Sequence, residues 1–208
     1  MVDGNLMAFA DRFRRPADAK RAAHPGAYRG PVLPATWEAF AASLKGVGGA
    51  LVGCEPSVSA AVESFIDLQR GPGRIVASAA AAPYLVRANG WTLAGTPDPH
   101  SWEDVDLAIV TAELACAENA ALLISSAVLP ERALAFLAQR LLVLVPPGRL
   151  VGGFMEAQDA LAKRIAEGEH LHHATWVSGP SKTADIEQTL VIGAHGVCSL
   201  AVMPLPGA

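Results

Sequence analysis

From residue 36 onward, the apolar positions of this chain form short solid runs that alternate with amphipathic stretches. Thr36 stands where it can cap a helix whose apolar stripe is Trp37, Phe40, Ala41 and Leu44. Residues 50–53 predict a short strand. Residues 56–70 predict a helix with Val58, Val62, Phe65 and Ile66 inward, and residues 74–78 a second strand. A short helix is expected over 85–89, closed by Gly90, followed by strands at 91–93, 106–111 and 122–125. Beyond them the pattern predicts a helix at 131–139, a strand at 141–145 and a helix at 153–167 carrying Phe154, Ala157, Leu161 and Ile165 on one face. Strands at 174–178 and 199–203, with a helix opening near Thr183 between them, complete the series.

Strands that alternate with helices imply a mainly parallel sheet covered on both faces. Leu141-Leu142-Val143-Leu144-Val145 is apolar throughout rather than at every second position, as burial on both faces requires. The expected fold is therefore α/β, a three-layer α/β/α arrangement. At 208 residues one domain is expected over 36–208, preceded by an irregular basic arm over 1–35 that carries Arg12, Arg14, Arg15, Lys20 and Arg21.

Composition narrows the function classes. The chain is 51% hydrophobic and 17% charged, with a net charge of -4, so no basic face points to nucleic acid. Its longest apolar runs are strand-sized, far short of the roughly 20 residues of a spanning helix. No apolar signal core stands in residues 1–15, and a cytoplasmic location is the expectation. Cys54, Cys116 and Cys198 are isolated, without Cys-x-x-Cys spacing, so no iron–sulfur cluster or structural zinc is expected on this chain. Glu169-His170-Leu171-His172-His173 is rich in metal-binding side chains, but it follows the end of a helix and offers no fixed i, i+4 pair; the reading is a loop and no metal. Nucleophile-elbow, Walker and dinucleotide-binding glycine motifs are all absent.

The most informative stretch is Gly179-Pro180-Ser181-Lys182-Thr183-Ala184-Asp185-Ile186-Glu187, running on to His195-Gly196. Read locally, it is a strand passing through a tight loop into a helix, and that junction suits a small anion. Helix-start N–H groups, the hydroxyls of Ser181 and Thr183 and the Lys182 ammonium would converge on it. Ser181 and Thr183 serve equally well as helix caps, Lys182 as a solvated charge, and Asp185 and Glu187 as acids complementing the helix dipole. His195 is expected at a helix C-terminus, as a ligand contact or a cap. Glu118, a carboxylate within the apolar stretch 117–124, is expected to be desolvated and is the candidate acid, base or nucleophile. Both segments follow strands, which would bring them to one sheet edge.

Ser181-Lys182-Thr183-Ala184-Asp185-Ile186-Glu187 followed by Gly193-Ala194-His195-Gly196 resembles the signature of the lactate-utilisation (LUD, or DUF162) domain family, in particular its short LutC-like members. Residues 105–112, leading to Ala117-Glu118, are similar to that family's strand and Ala-Glu-Thr-Gly-Thr element, with Asn119-Ala120-Ala121 replacing Thr-Gly-Thr and Val197 replacing a proline. The resemblance implies the fold shared by ribose-5-phosphate isomerase, glucosamine-phosphate deaminase and CoA-transferases. It also implies a role as a subunit of the system that oxidises L-lactate to pyruvate, with no redox centre of its own. The implied partners are a larger LUD protein holding iron–sulfur clusters and a cysteine-rich subunit. Two alternatives stand beside it: a stand-alone isomerase or acyl/CoA-transferase acting on a phosphorylated or carboxylated small molecule through Glu118, and a small-molecule sensor.

Overall fold

Thr36 starts the first helix as its sequence predicts, its hydroxyl accepting from the Ala39 N–H at 3.3 Å. The computed structural model describes residues 32–53, 57–69, 73–86, 90–95, 98–184 and 190–207. The basic arm falls outside them up to residue 31, and so does Cys54. The helices are α1 (Trp37–Gly46), α2 (Val58–Leu68), the single turn α3 (Leu134–Leu137) and α4 (Phe154–Ala166). The strands are β1 (Ala50–Leu51), β2 (Arg74–Ala77), β3 (Thr92–Leu93), β4 (Val105–Thr111), β5 (Leu114–Cys116), β6 (Leu122–Ser125), β7 (Arg140–Val145), β8 (Leu150–Val151), β9 (Ala174–Val177), β10 (Lys182–Ala184), β11 (Leu190–Ile192) and β12 (Ser199–Pro204).

Six strands build the central sheet in the order β1-β12-β7-β4-β2-β3, every neighbouring pair parallel. Its two faces follow the period-2 alternation of side chains. Ala108 and Val110 of β4, Leu141 and Val143 of β7 and Val202 of β12 pack against Phe40 and Leu44 of α1 and Leu134 of α3. Leu107, Ile109, Leu142, Leu144 and Met203 pack the opposite way, against Ala61 and Val62 of α2. A mainly parallel sheet flanked by helices is thus present, as the apolar runs require.

A second sheet was not foreshadowed by the pattern. β8-β5-β6-β9 form a separate four-stranded sheet in which β5 pairs parallel to β8, while β6 runs antiparallel to both β5 and β9. Ala115, Leu122 and Ile124 join the cluster around α1 and α3. On the other side, Leu114 and Leu123 meet Leu161 of α4, and Cys116 and Ala121 meet Ala157. Ile165, expected inward, is exposed.

Two further expectations are corrected. The helix expected from Thr183 is instead strand β10, paired antiparallel with β11 through Lys182↔Ile192, Thr183↔Val191 and Ala184↔Leu190. The β-branched Thr183, Val191 and Ile192 favour this extended pairing. Most of the helix expected over 85–89 lies outside the described residues, at 87–89; ahead of it stands a 3-10 turn at Ala82–Tyr84 with Pro83 in its first positions, and Leu85 is extended. The helix expected over 131–139 contracts to α3, because Arg140 is claimed by β7.

The turn between β5 and β6 holds Ala120 at φ 54, the left-handed region. Cys116 N–H donates to Ala121 O at 2.8 Å, and Asn119 Oδ1 accepts from Ala121 N–H at 3.1 Å, so the turn is fixed on both sides. The pattern this segment resembles has glycine at position 120. Alanine in this conformation costs about 1–2 kcal/mol. Glycine would instead add about 0.5–1 kcal/mol of backbone entropy loss and forgo about 0.8 kcal/mol from a buried methyl. The terms nearly offset, since Ala120 is fully buried. Ala120→Gly is therefore expected to change unfolding free energy by less than about 0.5 kcal/mol, whereas the β-branched Ala120→Val loses more than about 2 kcal/mol in equilibrium denaturation. A valine variant as stable as the parent would contradict the left-handed turn.

Candidate functional site

The loop after β9 and the turn after β11 are laced together by the backbone. Ser181 N–H donates to Val197 O at 3.0 Å, and Gly193 N–H donates to Ser181 O at 2.9 Å. Gly179 is required where it stands: its φ is 72, and a Cβ there would fall 2.6 Å from Val47 O. Gly193, at φ 82, is backed by Cys198, whose Sγ would collide with any Cβ placed there. Between these segments opens a cleft of about 240 Å³. Gly179, Pro180, Ser181, His195 and Gly196 line it together with Phe136, Trp176 and Val197. The hydroxyls of Ser178 and Ser181, one exposed imidazole and an aromatic floor suit a ligand or partner side chain with an apolar body and a polar end.

Five of the signature positions therefore meet in one cleft, but the cationic one does not join them. Successive side chains of a strand point to opposite faces, so Ser181 and Lys182 diverge. A Cβ on Gly48 would sit 3.0 Å from Lys182 Nζ, which places the ammonium beside the C-terminal end of α1, where a cation complements the helix dipole. Thr183 is half-buried in the β10–β11 pairing and caps no helix. Asp185 and Glu187 lie outside the described residues. His195 stands in a turn, not at a helix end. Phe136 and Trp176 escape a sequence reading because they look like ordinary core positions; the partial exposure of Phe136 becomes visible only once α3 is known to be a single turn.

Glu118 is held elsewhere. Its Oε2 accepts from the Phe154 N–H at 2.7 Å, at the first turn of α4, whose own cap residue, Gly153, has no side chain. Glu156 Oε2 accepts from Gly152 N–H at 3.2 Å, so two carboxylates serve this helix start. Gly152 is packed so closely that a Cβ would collide with Leu33 O. Glu118 is partly buried and does not line the cleft, although its neighbour does touch the signature loop: Ser178 Oγ donates to Asn119 O at 2.6 Å. The two segments do share an edge, that of the second sheet rather than the central one.

The histidine-rich stretch is tied down by its acid. Glu169 accepts from Arg164 Nε and Nη2, both at 2.6 Å, and this pairing holds its carboxyl below the usual range. No group of three or more histidine, cysteine, aspartate or glutamate side chains is arranged for a metal among the described residues. Burial pushes the Cys116 thiol up, while Cys198 is exposed and free. Burial, with Arg132 nearby, holds His173 below the ordinary imidazole value.

Two outcomes are expected from these contacts. Removing the cap with Glu118→Ala costs about 1 kcal/mol in chemical denaturation, and Glu118→Gln, which keeps an acceptor oxygen, costs roughly half of that; equal stability of all three proteins would remove the capping role. The unfolded His173 takes up its proton near pH ~6.5, whereas the folded one resists it, so the unfolded state binds more protons and stability declines as pH falls through that value. His173→Gln should flatten this decline between about pH 7.5 and 5.5 in a denaturation series, and unchanged slopes would assign it to other groups.

Among the described residues no helix is long and apolar enough to cross a membrane. The chain is similar to lactate utilization protein C of Bacillus pumilus (strain SAFR-032), 34% identical over 95 residues, which are 45% of this chain and 40% of that protein. It is similarly related to lactate utilization protein C of Bacillus subtilis (strain 168), 30% identical over 95 residues, which are 45% of this chain and 40% of that protein. The matched part thus spans about two fifths of the length of these relatives. In fold the chain is similar to the crystal structure of a DUF162 family protein from Deinococcus radiodurans, with a TM-score of 0.58 at 17% identity, covering 81% of this chain and 95% of that one. Residues 100–202, which hold the β5–β6 turn and the signature cleft, match the LUD domain, and this part of the chain belongs to the LUD domain family.

Proposed function

We propose that this chain serves lactate utilisation as a binding and assembly subunit without a redox centre of its own. The observation that carries the reading is the division of labour within the matched domain. Five of the signature residues converge on an open, aromatic-floored cleft, while Glu118, the candidate that the sequence offers for proton transfer or covalent work, is engaged as the cap of α4. Among the described residues the cleft has two hydroxyls, one imidazole and no positioned carboxylate, which suits recognition better than turnover. The names of the relatives support the metabolic setting. The partners that fit are a LUD protein holding iron–sulfur clusters and a cysteine-rich subunit, working together in the cytoplasm. Electrons would pass through them, and this chain would hold the assembly or a small anionic ligand.

Affinity capture of the tagged chain from its native cell extract tests this directly. Co-purification of iron–sulfur and cysteine-rich proteins, with lactate-dependent dye reduction in the eluate, is the expected result, and Glu118→Gln should retain both. A chain recovered alone and without that activity would overturn the reading. Loss of lactate oxidation in Glu118→Gln with assembly intact would favour an enzyme acting through Glu118.

A further inference from the structure

The two central strands of the parallel sheet leave it side by side and separate as they do so. β4 and β7 stay in register to Thr111↔Leu144, and Ala112 N–H still donates to Leu144 O at 2.9 Å. Pairing resumes in the second sheet, where Ala115 N–H donates to Arg149 O at 2.8 Å and Ala115 faces Leu150. Between these points one chain has only Glu113 and Leu114, while the other passes through Pro146, Pro147 and Gly148. The unequal paths enclose a cavity of about 260 Å³ at the C-terminal ends of β4 and β7, lined by Thr111, Glu113, Val128, Pro146, Arg149 and Arg164.

The polar groups around it are unbalanced in a specific way. Thr111 is 3% exposed and Glu113 9%, yet Thr111 Oγ1 and Glu113 Oε2 have no hydrogen-bond partner. Leaving a buried acceptor unpaired costs about 1–3 kcal/mol, and more when it is charged. Glu113 Oε1 is bound to Arg164, which is also bound twice by Glu169; these two carboxylates hold the guanidinium above even its ordinary value. Arg164 is therefore already neutralised. Arg149 is exposed and makes no ion pair among the described residues. The walls of the cavity thus hold one available guanidinium and, recessed among the buried side chains, one carboxylate oxygen and one hydroxyl without partners.

A phosphate dianion would meet Glu113 with a single unpaired arginine to offset it, which disfavours it. A monocarboxylate that carries its own hydrogen-bond donor matches every group. Its carboxylate pairs with Arg149, its hydroxyl or ammonium donates to Glu113 Oε2, and Thr111 Oγ1 completes the set. The volume lies below the roughly 300–1,000 Å³ typical of sites for drug-sized ligands and suits a molecule of a few carbons. We propose that this cavity, at the point where β4 and β7 leave the central sheet, binds a small 2-hydroxy- or 2-amino-carboxylate. The site is separate from the signature cleft, and the inference does not depend on the assembly reading.

Calorimetric titration of the whole purified chain with L-lactate, L-alanine and pyruvate tests it. Pyruvate has the carboxylate but would face Glu113 Oε2 with another acceptor. Saturable binding of L-lactate or of L-alanine is expected, with pyruvate at least about tenfold weaker, and the stronger of the two acids identifies the donor. Arg149→Gln, at an exposed position, and the near-isosteric Thr111→Val should each weaken the bound acid, Arg149→Gln by at least about tenfold, with circular dichroism unchanged. Absence of binding by both acids at about 10 mM, equal binding of pyruvate, or affinity indifferent to Arg149→Gln would each overturn the proposal. Partner capture is scored separately, so failure here leaves the subunit reading standing, and failure there leaves this site standing.

Discussion

The rest of the structure depends on how the chain changes sheets at Ala112–Glu113. Ala112 still gives its N–H to β7 of the central sheet, and the next residue, Glu113, gives its N–H to Leu123 of the second sheet at 2.8 Å. A backbone donor buried at this depth cannot be left without an acceptor, so the change of sheet requires β6 to be in place where β7 stops serving. That requirement fixes the β5–β6 turn, and the turn positions both Glu118 beside α4 and Asn119 beside Ser178. The signature loop is therefore tied to the same crossing that opens the cavity. Two features far apart in sequence share one mechanical origin.

Legibility followed the same line. β4, β7 and β12 were readable because burial on both faces leaves a solid apolar run, a signal that needs no knowledge of neighbours. β5 and β6 carry equally apolar residues, but which sheet they join is decided by pairing partners, not by their own sequence. The one local hint is the carboxylate of Glu113 inside an apolar run, and without Arg164 opposite it that hint has no reading. Thr183 shows the converse failure. Acids after a Gly-Pro corner suggest a helix start, yet the aliphatic and β-branched residues on the far side of the turn make a better strand partner, and a contact across sequence overrides the local preference.

The candidate site was legible as a set of positions and not as a set of roles. Gly179, Pro180, Ser181, His195 and Gly196 do gather, because the glycines permit approaches that any side chain would block. Lys182 was grouped with them on chemistry alone. In the helix expected there it would have reached the same ligand as Ser181, but in a strand adjacent residues point apart and the ammonium goes to the end of α1. Glu118 was singled out as a carboxylate in an apolar stretch, and what sequence could not supply was its acceptor task at α4, beside a glycine cap.

These placements separate two kinds of buried charge. Glu118 and Glu156 meet the N–H groups of a helix start, so their partners come from the backbone and hold whatever else the protein binds. Glu113 has only half of its carboxylate matched, by Arg164, which in turn must share its guanidinium with Glu169. A carboxylate that caps a helix contributes to structure and gains little from a ligand. A half-paired one leaves part of its desolvation cost uncompensated, and any donor that reaches the free oxygen recovers it. In this chain, therefore, the acid that the sequence makes conspicuous is engaged at a helix start, and the acid five residues earlier, at the crossing of the sheets, is the one with interaction free energy still to gain.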